Sequence, residues 1–217
     1  MILETKTPFC KLCFKPLKEP SFADLFLQKP LICHQCQKKF IPIFHHFYIK
    51  GIQGLAIYRY DDTIRQYLYQ LKAAYDIEIA PVFLQPYARY LYFRYRNYVL
   101  VPAPSTKTSD DARGFNQIIE IFSELKLPII PVCVKTTDIK QAGLNYDQRQ
   151  KIIQHLAIIN PEKITNKNIL IVDDVMTTGA TIRAMIELLK THNVKNIAVL
   201  VLAETKVSSN KTINITD

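Results

Sequence analysis

The 217-residue sequence contains no tryptophan, only five glycines, and neither an internal repeat nor a low-complexity block. So little glycine excludes a collagen-like chain. No apolar run reaches the roughly 18 residues that a membrane span needs, so we expect no membrane insertion. The segment Met1 to Pro8 lacks the basic stretch and apolar block of a signal peptide, and we therefore expect a cytoplasmic protein.

Apolar residues make up 48% of the chain and charged residues 22%, which suits a packed globular core. The formal net charge is +9, from 28 basic and 19 acidic residues. A basic chain of this kind favours polyanions as partners, namely nucleic acid, phosphorylated metabolites or an anionic membrane surface.

Four of the five cysteines form two Cys-x-x-Cys pairs near the start of the chain: Cys10, Cys13, Cys33 and Cys36. In a cytoplasmic chain this spacing indicates a metal site rather than disulfides, with buried thiols or a redox pair as the alternatives. Four thiolates close a tetrahedral site, so we expect one structural Zn²⁺ per chain. The metal would stabilise residues 1–45 as a small zinc-ribbon-like module that lacks an adequate core of its own.

From Lys50 onward, short apolar strands alternate with helices, which predicts an α/β domain over residues 46–217 with a doubly wound parallel sheet. The pattern predicts helices over Val82–Arg96 and Ala112–Leu125 and a strand over Ile129–Lys135. Residues 204–217 are polar, and we expect them to fray. Ligands of such sheets bind beyond the carboxyl ends of the strands.

The most informative segment begins with the apolar strand Ile169 to Val172, which is followed at once by Asp173 and Asp174. Adjacent carboxylates accept hydrogen bonds from the two hydroxyls of a ribose, and we expect both to face the sugar. Hydroxyls, backbone N–H groups and a helix N-terminus then surround a phosphate. The residues that supply these groups are Thr177, Thr178, Gly179, Ala180 and Thr181. The alternative is an ordinary strand followed by a polar helix cap.

This segment resembles the signature of the type I phosphoribosyltransferases. Together with the cysteine pairs, VPAP at 101–104, RGFNQ at 113–117 and QAGL at 141–144, the chain resembles the ComF/ComFC family of competence proteins. The resemblance implies a zinc module before a phosphoribosyltransferase-like domain, in a cytoplasmic protein that assists the import of single-stranded DNA.

The resemblance also implies roles for individual residues. Asp173 and Asp174 would bind the ribose of phosphoribosyl pyrophosphate, with Mg²⁺ as the accompanying cation, and residues 177–181 would bind its 5-phosphate. A pyrophosphate loop would contain Ser105, Thr106 and Lys107. A mobile loop would contribute Lys135, Gln141 and Arg149, with Lys135 and Arg149 as the candidate catalytic residues. The stretch 105–112 holds one lysine and two acids, whereas the family loop is basic.

Tyrosines are concentrated between Tyr58 and Tyr98. In the helix expected there, Arg89, Tyr92 and Arg96 fall on one stripe together with Gln85. Aromatic rings with arginines between them suit single-stranded DNA, because bases stack on the rings and phosphates meet the guanidinium groups. The alternative is an amphipathic helix whose tyrosines are half-buried.

Two functions are compatible with these motifs. The first is an accessory factor of DNA uptake that binds phosphoribosyl pyrophosphate and single-stranded DNA. It would work with other cytoplasmic competence proteins, such as a DNA-translocating helicase, in the cytoplasm or at the inner face of the membrane. The second is a salvage phosphoribosyltransferase acting on a nucleobase.

Overall fold

A computed structural model describes residues 8–17, 29–136 and 156–205. Among these residues, one five-stranded sheet has the order β1-β2-β7-β6-β3. Its strands are β1 (Pro42–Ile49), β2 (Ile52–Arg59), β3 (Tyr98–Pro102), β6 (Asn168–Met176) and β7 (Asn196–Glu204). A separate antiparallel pair consists of β4 (Cys133–Lys135) and β5 (Leu156–Ile158). The helices are α1 (His34–Gln37), α2 (Asp62–Ala73), α3 (Ala88–Tyr95), α4 (Lys107–Arg113), α5 (Gln117–Phe122) and α6 (Ala180–Lys190).

The sheet is parallel from β2 through β7 and β6 to β3, as the alternating pattern predicts. The edge strand β1 is antiparallel to β2, so the sheet is mixed, and this strand was not predicted. The last strand along the chain, β7, lies in the middle of the sheet. Residues at the centres of β6 and β7 are fully buried, which explains their continuous apolar sequences.

The cysteine-bearing segment, residues 8–17 and 29–40, packs directly on the rest of the described chain. Phe40 stacks on Tyr67 of α2 with ring centroids 5.3 Å apart, and its edge contacts Phe83. The Nζ atom of Lys11 lies 2.6 Å from a carboxylate oxygen of Glu78. Cys10 belongs to the same hydrophobic cluster as the sheet residues. The expected boundary near residue 45 therefore separates sequence patterns within one continuous core.

The helix predicted over Val82–Arg96 is wrong in its first half. Two 3₁₀ turns, Ile77–Phe83 and Gln85–Tyr87, precede α3, which spans eight residues. Pro86 has no N–H to donate to an α-helical turn, so the α-helix begins only after it.

The helix predicted over Ala112–Leu125 is interrupted by Gly114, whose φ of 77° ends α4 in the left-handed region. The strand predicted over Ile129–Lys135 is also shorter, because only an isolated bridge at Ile129 precedes β4. Glu204 was assigned to the frayed tail, but it ends β7 and is buried; residues 206–217 lie outside the described part of the chain. Within the described ranges, no helix combines the length and hydropathy needed to cross a membrane.

Candidate phosphoribosyl site and cysteine cluster

The acid pair lies near the carboxyl end of β6, between β3 and β7. Asp173 is partly exposed, and its Oδ1 atom accepts a hydrogen bond from the backbone N–H of Asp174 at 2.9 Å. Burial raises the pKa of Asp173 to about 7, and the charge of Asp174 adds to this effect; Lys72 and Lys135 oppose it. Asp173 is thus a carboxyl group that holds its proton more tightly than usual beside a second acid.

Asp174 differs from the expectation that both carboxylates are open to a sugar. It is 7% exposed, and its Oδ2 atom lies 2.6 Å from Nζ of Lys72 and 3.2 Å from Nε2 of Gln117. A buried carboxylate without such partners would carry a large desolvation cost. Gln117 ends the RGFNQ segment, yet nothing local in the sequence indicated that it or Lys72 meets Asp174.

The loop after β6 turns into α6 at Gly179, which has a φ of 72° and supplies no capping side chain. This positive φ strains any residue with a side chain, so the backbone conformation requires glycine; a Cβ atom would also displace the tip of the Ile49 side chain, whose Cδ1 atom would lie 2.8 Å away. Thr177 and Thr178 are exposed beside it, whereas Thr181 is half-buried in the first turn. The positive end of the α6 dipole therefore faces an exposed hydroxyl-bearing loop, an arrangement that suits an anion.

The RGFNQ segment organises the loop after β3. Asn116 caps α5 with its Oδ1 atom, and its Nδ2 atom donates to Ser105 and Asp110 at 2.8 Å each. Asp110 also accepts a hydrogen bond from the Ser105 hydroxyl and pairs with Arg113 at 2.8 Å. The hydroxyl of Ser105 and the guanidinium of Arg113 are therefore already paired with an acid of the same loop.

The four predicted metal ligands meet in space. The Sγ atoms of Cys10, Cys13, Cys33 and Cys36 all lie within 4.8 Å of one another. Tetrahedral zinc with sulfur at about 2.3 Å places the sulfurs about 3.8 Å apart. The separation of 3.7 Å between Cys13 and Cys33 fits that value. All five cysteines are free thiols, and Cys133 lies apart in the core. His34 begins α1 and is not a member of the cluster.

Neighbouring thiols of the cluster have opposite preferences for the charged form. Although burial raises it, the pKa of Cys10 is lowered to about 6 by N–H groups of Cys33, Leu12 and Cys13. The pKa of Cys36 is raised by burial and by the other thiols. Without a cation, negative charge on one sulfur therefore opposes charge on another. A divalent cation would favour the thiolate form of all four, and the donor set fits zinc.

A groove of about 610 Å³ lies between the cysteine-bearing segment and α3. Arg89, Tyr92 and Phe93 line it from α3, and Glu124 and Lys126 line it from the turn after α5. Arg96 is exposed at the C-terminal end of α3 and is not among the lining residues. The fourth residue of the predicted stripe has another role. The Nε2 atom of Gln85 donates to the Lys29 carbonyl at 2.7 Å, which connects the cysteine-bearing segment to the turn before α3.

The remaining predicted residues divide between the described and undescribed parts of the chain. Lys135 ends β4 and contributes to the electrostatic surroundings of Asp173. Lys107 begins α4, but its side chain lies outside the described structure. Gln141 and Arg149 also lie outside the described residues, so their assignment to a mobile loop stays a prediction.

The raised pKa of Asp173 predicts a stability penalty that grows with pH. Between the ordinary value of 3.8 and about 7 the folded chain binds more protons than the unfolded chain, so stability falls as pH rises through this window. Asp173→Asn should raise the thermal midpoint by several degrees at pH 8 and by little at pH 4, where the penalty is small. The full difference corresponds to at most about 4 kcal/mol. Thermal scans at both pH values check this, with exposed Asp111→Asn as control. An equal gain for both variants would contradict the assignment.

The chain is similar to known proteins both in sequence and in structure. The phosphoribosyl transferase domain family matches residues 113–215. Competence protein ComFC of Streptococcus pneumoniae (strain ATCC BAA-255 / R6) is 24% identical over 148 residues, which cover 68% of this chain and 66% of that protein. The structure of a hypoxanthine phosphoribosyltransferase from Staphylococcus aureus matches with 16% identity and a TM-score of 0.39 over 59% of this chain and 64% of that one. Phosphoribosylpyrophosphate synthetase from Mycobacterium smegmatis matches with 14% identity and a TM-score of 0.32, over 58% and 33% of the two chains.

The matched region thus spans slightly less than two thirds of ComFC and of the hypoxanthine phosphoribosyltransferase. The family match contains both RGFNQ and the acid pair, while the four-cysteine cluster precedes it. The mixed α/β sheet agrees with the predicted fold class. These findings confirm the resemblance to the ComF/ComFC family: residues 113–215 match the phosphoribosyl transferase domain family, and the cysteine cluster that precedes them fits a zinc module.

Proposed function

We propose that this chain is an accessory factor of natural transformation that binds phosphoribosyl pyrophosphate and handles imported single-stranded DNA. One observation carries the proposal for the ligand. A partly exposed carboxyl group, Asp173, lies near the carboxyl end of the central strand β6, and the glycine-led N-terminus of α6 follows a few residues later. A sugar with hydroxyls at one end and a phosphate at the other matches this order of groups.

In this assignment, Asp173 accepts hydrogen bonds from ribose hydroxyls, and residues 177–181 hold the 5-phosphate with hydroxyls and backbone N–H groups. The loop of Ser105 and Thr106 lies after the neighbouring strand β3, where the pyrophosphate would extend. Mg²⁺ would offset the charge that this ligand brings to an acid pair. Lys135, with Gln141 and Arg149, would meet the pyrophosphate.

A calorimetric titration tests this ligand assignment. We expect phosphoribosyl pyrophosphate to bind more tightly with Mg²⁺ than without it, because the diphosphate binds the cation. Ribose 5-phosphate is the matched comparison, since it keeps the sugar and the 5-phosphate but lacks the pyrophosphate. Binding of neither compound would overturn the assignment, whereas equal binding of both would remove the role of the loop after β3.

A second candidate function, a salvage phosphoribosyltransferase, is favoured by a cleft of about 450 Å³ beside that loop. Its walls include Pro104, Asn116, Val134 and Ile159, and a nucleobase fits a space of this size and mixed polarity. Catalytic turnover is disfavoured because Asp110 already pairs with Ser105 and Arg113, the polar groups of this loop. Incubation with phosphoribosyl pyrophosphate, Mg²⁺ and a panel of bases decides between the two, because only a transferase releases pyrophosphate in step with consumption of a base.

The DNA part of the proposal rests on the groove beside α3 and on the net charge of +9. Tyr92 and Phe93 are 40% and 55% exposed, which leaves their faces open to stacking with bases. Arg89 and Lys126 supply positive charge at the walls, and Glu124 opposes it. Such a groove would bind single strands with little sequence preference. The proposed partners are cytoplasmic competence proteins, including a DNA-translocating helicase, met in the cytoplasm or at the inner face of the membrane.

Replacing both Arg89 and Arg96 by alanine should weaken binding of a fluorescent oligonucleotide at low salt. Each lost phosphate contact should also reduce the log–log salt slope by roughly 0.7 on a single strand. Fluorescence anisotropy over a salt series measures both quantities. The matched control removes two exposed lysines from other elements, Lys163→Ala with Lys190→Ala. Equal losses in the two double variants would show a general charge effect and contradict a DNA path along α3.

A further inference from the structure

The acid pair is built from two carboxylates in unlike surroundings. Asp174 is buried, and three elements of the fold converge on it: its own strand β6, α2 through Lys72, and α5 through Gln117. Asp173 is partly exposed and accepts a hydrogen bond from the adjacent backbone. The two acids are neighbours in the chain, yet the described structure gives a direct cation partner only to Asp174.

The geometry around Asp174 fixes the orientation of its carboxyl group. Nζ of Lys72 lies 2.6 Å from Oδ2 of Asp174, which is the distance of a charge-assisted hydrogen bond. The Nε2 atom of Gln117 donates to the same oxygen at 3.2 Å, and Oδ1 accepts from the N–H of Val175 at 2.6 Å. Three donors from three different residues therefore hold the Asp174 side chain in place.

The side-chain oxygen of Gln117 is a second, independent indication of a ligand at this site. Its side chain is 7% exposed, and within the described residues its Oε1 atom accepts no hydrogen bond. The Asp174 carboxyl oxygen accepts hydrogen bonds, so the NH₂ group of the Gln117 amide must face it and the Oε1 atom must point away. A buried acceptor without a donor is costly unless another molecule donates to it.

We propose that Lys72 and Gln117 are positioning residues that hold the Asp174 carboxyl group in place, so that Asp173 is the acid left to meet the ligand. Gln117 then offers its Oε1 atom to a hydroxyl or to a metal-bound water of that ligand. The proposal rests on the proposed phosphoribosyl site. It assigns an anchoring role to Asp174 and the ligand contact to Asp173.

The charged groups around the pair support this division of roles. Lys72 from α2 and Lys135 from β4 both favour ionisation of Asp173, yet burial and the fixed charge of Asp174 outweigh them. Removing the charge of Lys72 should therefore raise the pKa of Asp173 further, because one of the two charges that lower it is lost.

Lys72→Met is the first variant of the test, and Lys72→Arg is the conservative one. Arg65→Met is the matched control, because it removes one positive charge from the same helix at an exposed position that pairs with Asp62 instead. Loss of a residue that orients a ligand-binding group costs about 10–100-fold in affinity at metal sites. We expect a loss of that order for phosphoribosyl pyrophosphate in Lys72→Met, near wild-type affinity in Lys72→Arg, and none in Arg65→Met.

A carboxyl NMR titration of the aspartates, carried out without ligand, keeps the outcome separate from the proposed function. In the wild type Asp173 should titrate near neutral pH. In Lys72→Met the pKa of Asp173 should rise further, because the Lys72 charge that lowers it is gone. If the wild type binds no phosphoribosyl pyrophosphate, the ligand assignment fails, and the titration still decides the role of Lys72. If binding and titration in Lys72→Met match those of Arg65→Met, the positioning role is overturned.

Gln117 is tested by Gln117→Leu and Gln117→Glu. The leucine variant removes both the donor to Asp174 and the free oxygen. The glutamate variant keeps an oxygen acceptor but faces Asp174 with a second acid. We expect both to bind the ligand more weakly, and the glutamate variant to recover affinity as the pH is lowered and the added acid is protonated. Unchanged affinity in both variants would remove Gln117 from the site.

Discussion

The Cys10→Ser variant should lose its zinc and unfold at a temperature on the order of 10 °C lower than the wild type. Cys10 is fully buried, and it belongs to the hydrophobic cluster that includes Phe40 and the sheet. Structural zinc contributes about 10–16 kcal/mol to small zinc-finger peptides. Loss of only about 4 kcal/mol would lower the midpoint of a chain of this size by about 8–16 °C. Elemental analysis and a thermal scan of the same preparation measure the two effects.

Cys133→Ser is the matched control, because it also places a hydroxyl at a buried cysteine but leaves the cluster complete. It should keep one zinc per chain and lose less stability. The sequence alone suggested that only residues 1–45 would loosen after metal loss. The stacking of Phe40 on Tyr67 connects the metal site to α2, so we expect the transition of the whole chain to shift. A zinc-free wild type, or a purified protein with disulfides between the pairs, would refute the assignment.

Asp173→Ala should lower the affinity for phosphoribosyl pyrophosphate by about 100-fold or more while the fold stays intact. Two hydrogen bonds from ribose hydroxyls to a charged acceptor contribute about 1.5–3 kcal/mol each, and about 1.4 kcal/mol corresponds to a factor of ten. Because Asp173 is partly exposed and its ionised form is disfavoured in the folded chain, its removal should not reduce stability. Calorimetry with Mg²⁺ measures the affinity, and Asp62→Ala, which removes an exposed acid, is the control.

Combining Asp173→Ala with Asp174→Ala should abolish detectable binding and should also lower stability. The second substitution leaves Lys72 without its partner, and breaking a buried ion pair from one side costs about 3–5 kcal/mol. Lys72 is one third exposed, so we expect the lower part of that range or less. If the double variant binds the ligand as the wild type does, the acid pair is not the ribose site.

Local patterns in the sequence predicted the elements whose structure depends on neighbours along the chain. The strand Tyr98–Pro102 coincides with a short apolar run of the sequence, and Asp61 caps α2 by accepting from the N–H of Ile64. The glycine of the anion loop lies at the predicted position before α6. Each of these three features follows from a short apolar run or from a single residue at a helix end. None of them requires knowledge of the rest of the fold.

Contacts between distant parts of the chain could not be predicted in this way. The edge strand β1 alternates poorly, since a register shift lies between Pro42 and His45, and its pairing with β2 was missed. Lys72 and Asp174 are brought together only when α2 packs beside β6, and no spacing rule connects them. The burial of Asp174 also follows from packing between distant parts of the chain. Because the sequence does not show this packing, the two adjacent acids were expected to be equally exposed.

The central position of β7 bears on the order in which the chain can fold during synthesis. Its neighbours β2 and β6 leave the ribosome first, and each must wait with an unpaired edge until Asn196–Glu204 emerges. Exposed strand edges of this kind invite pairing with other chains. A nascent chain that stalls before Asn196–Glu204 would therefore be prone to aggregation through these two edges.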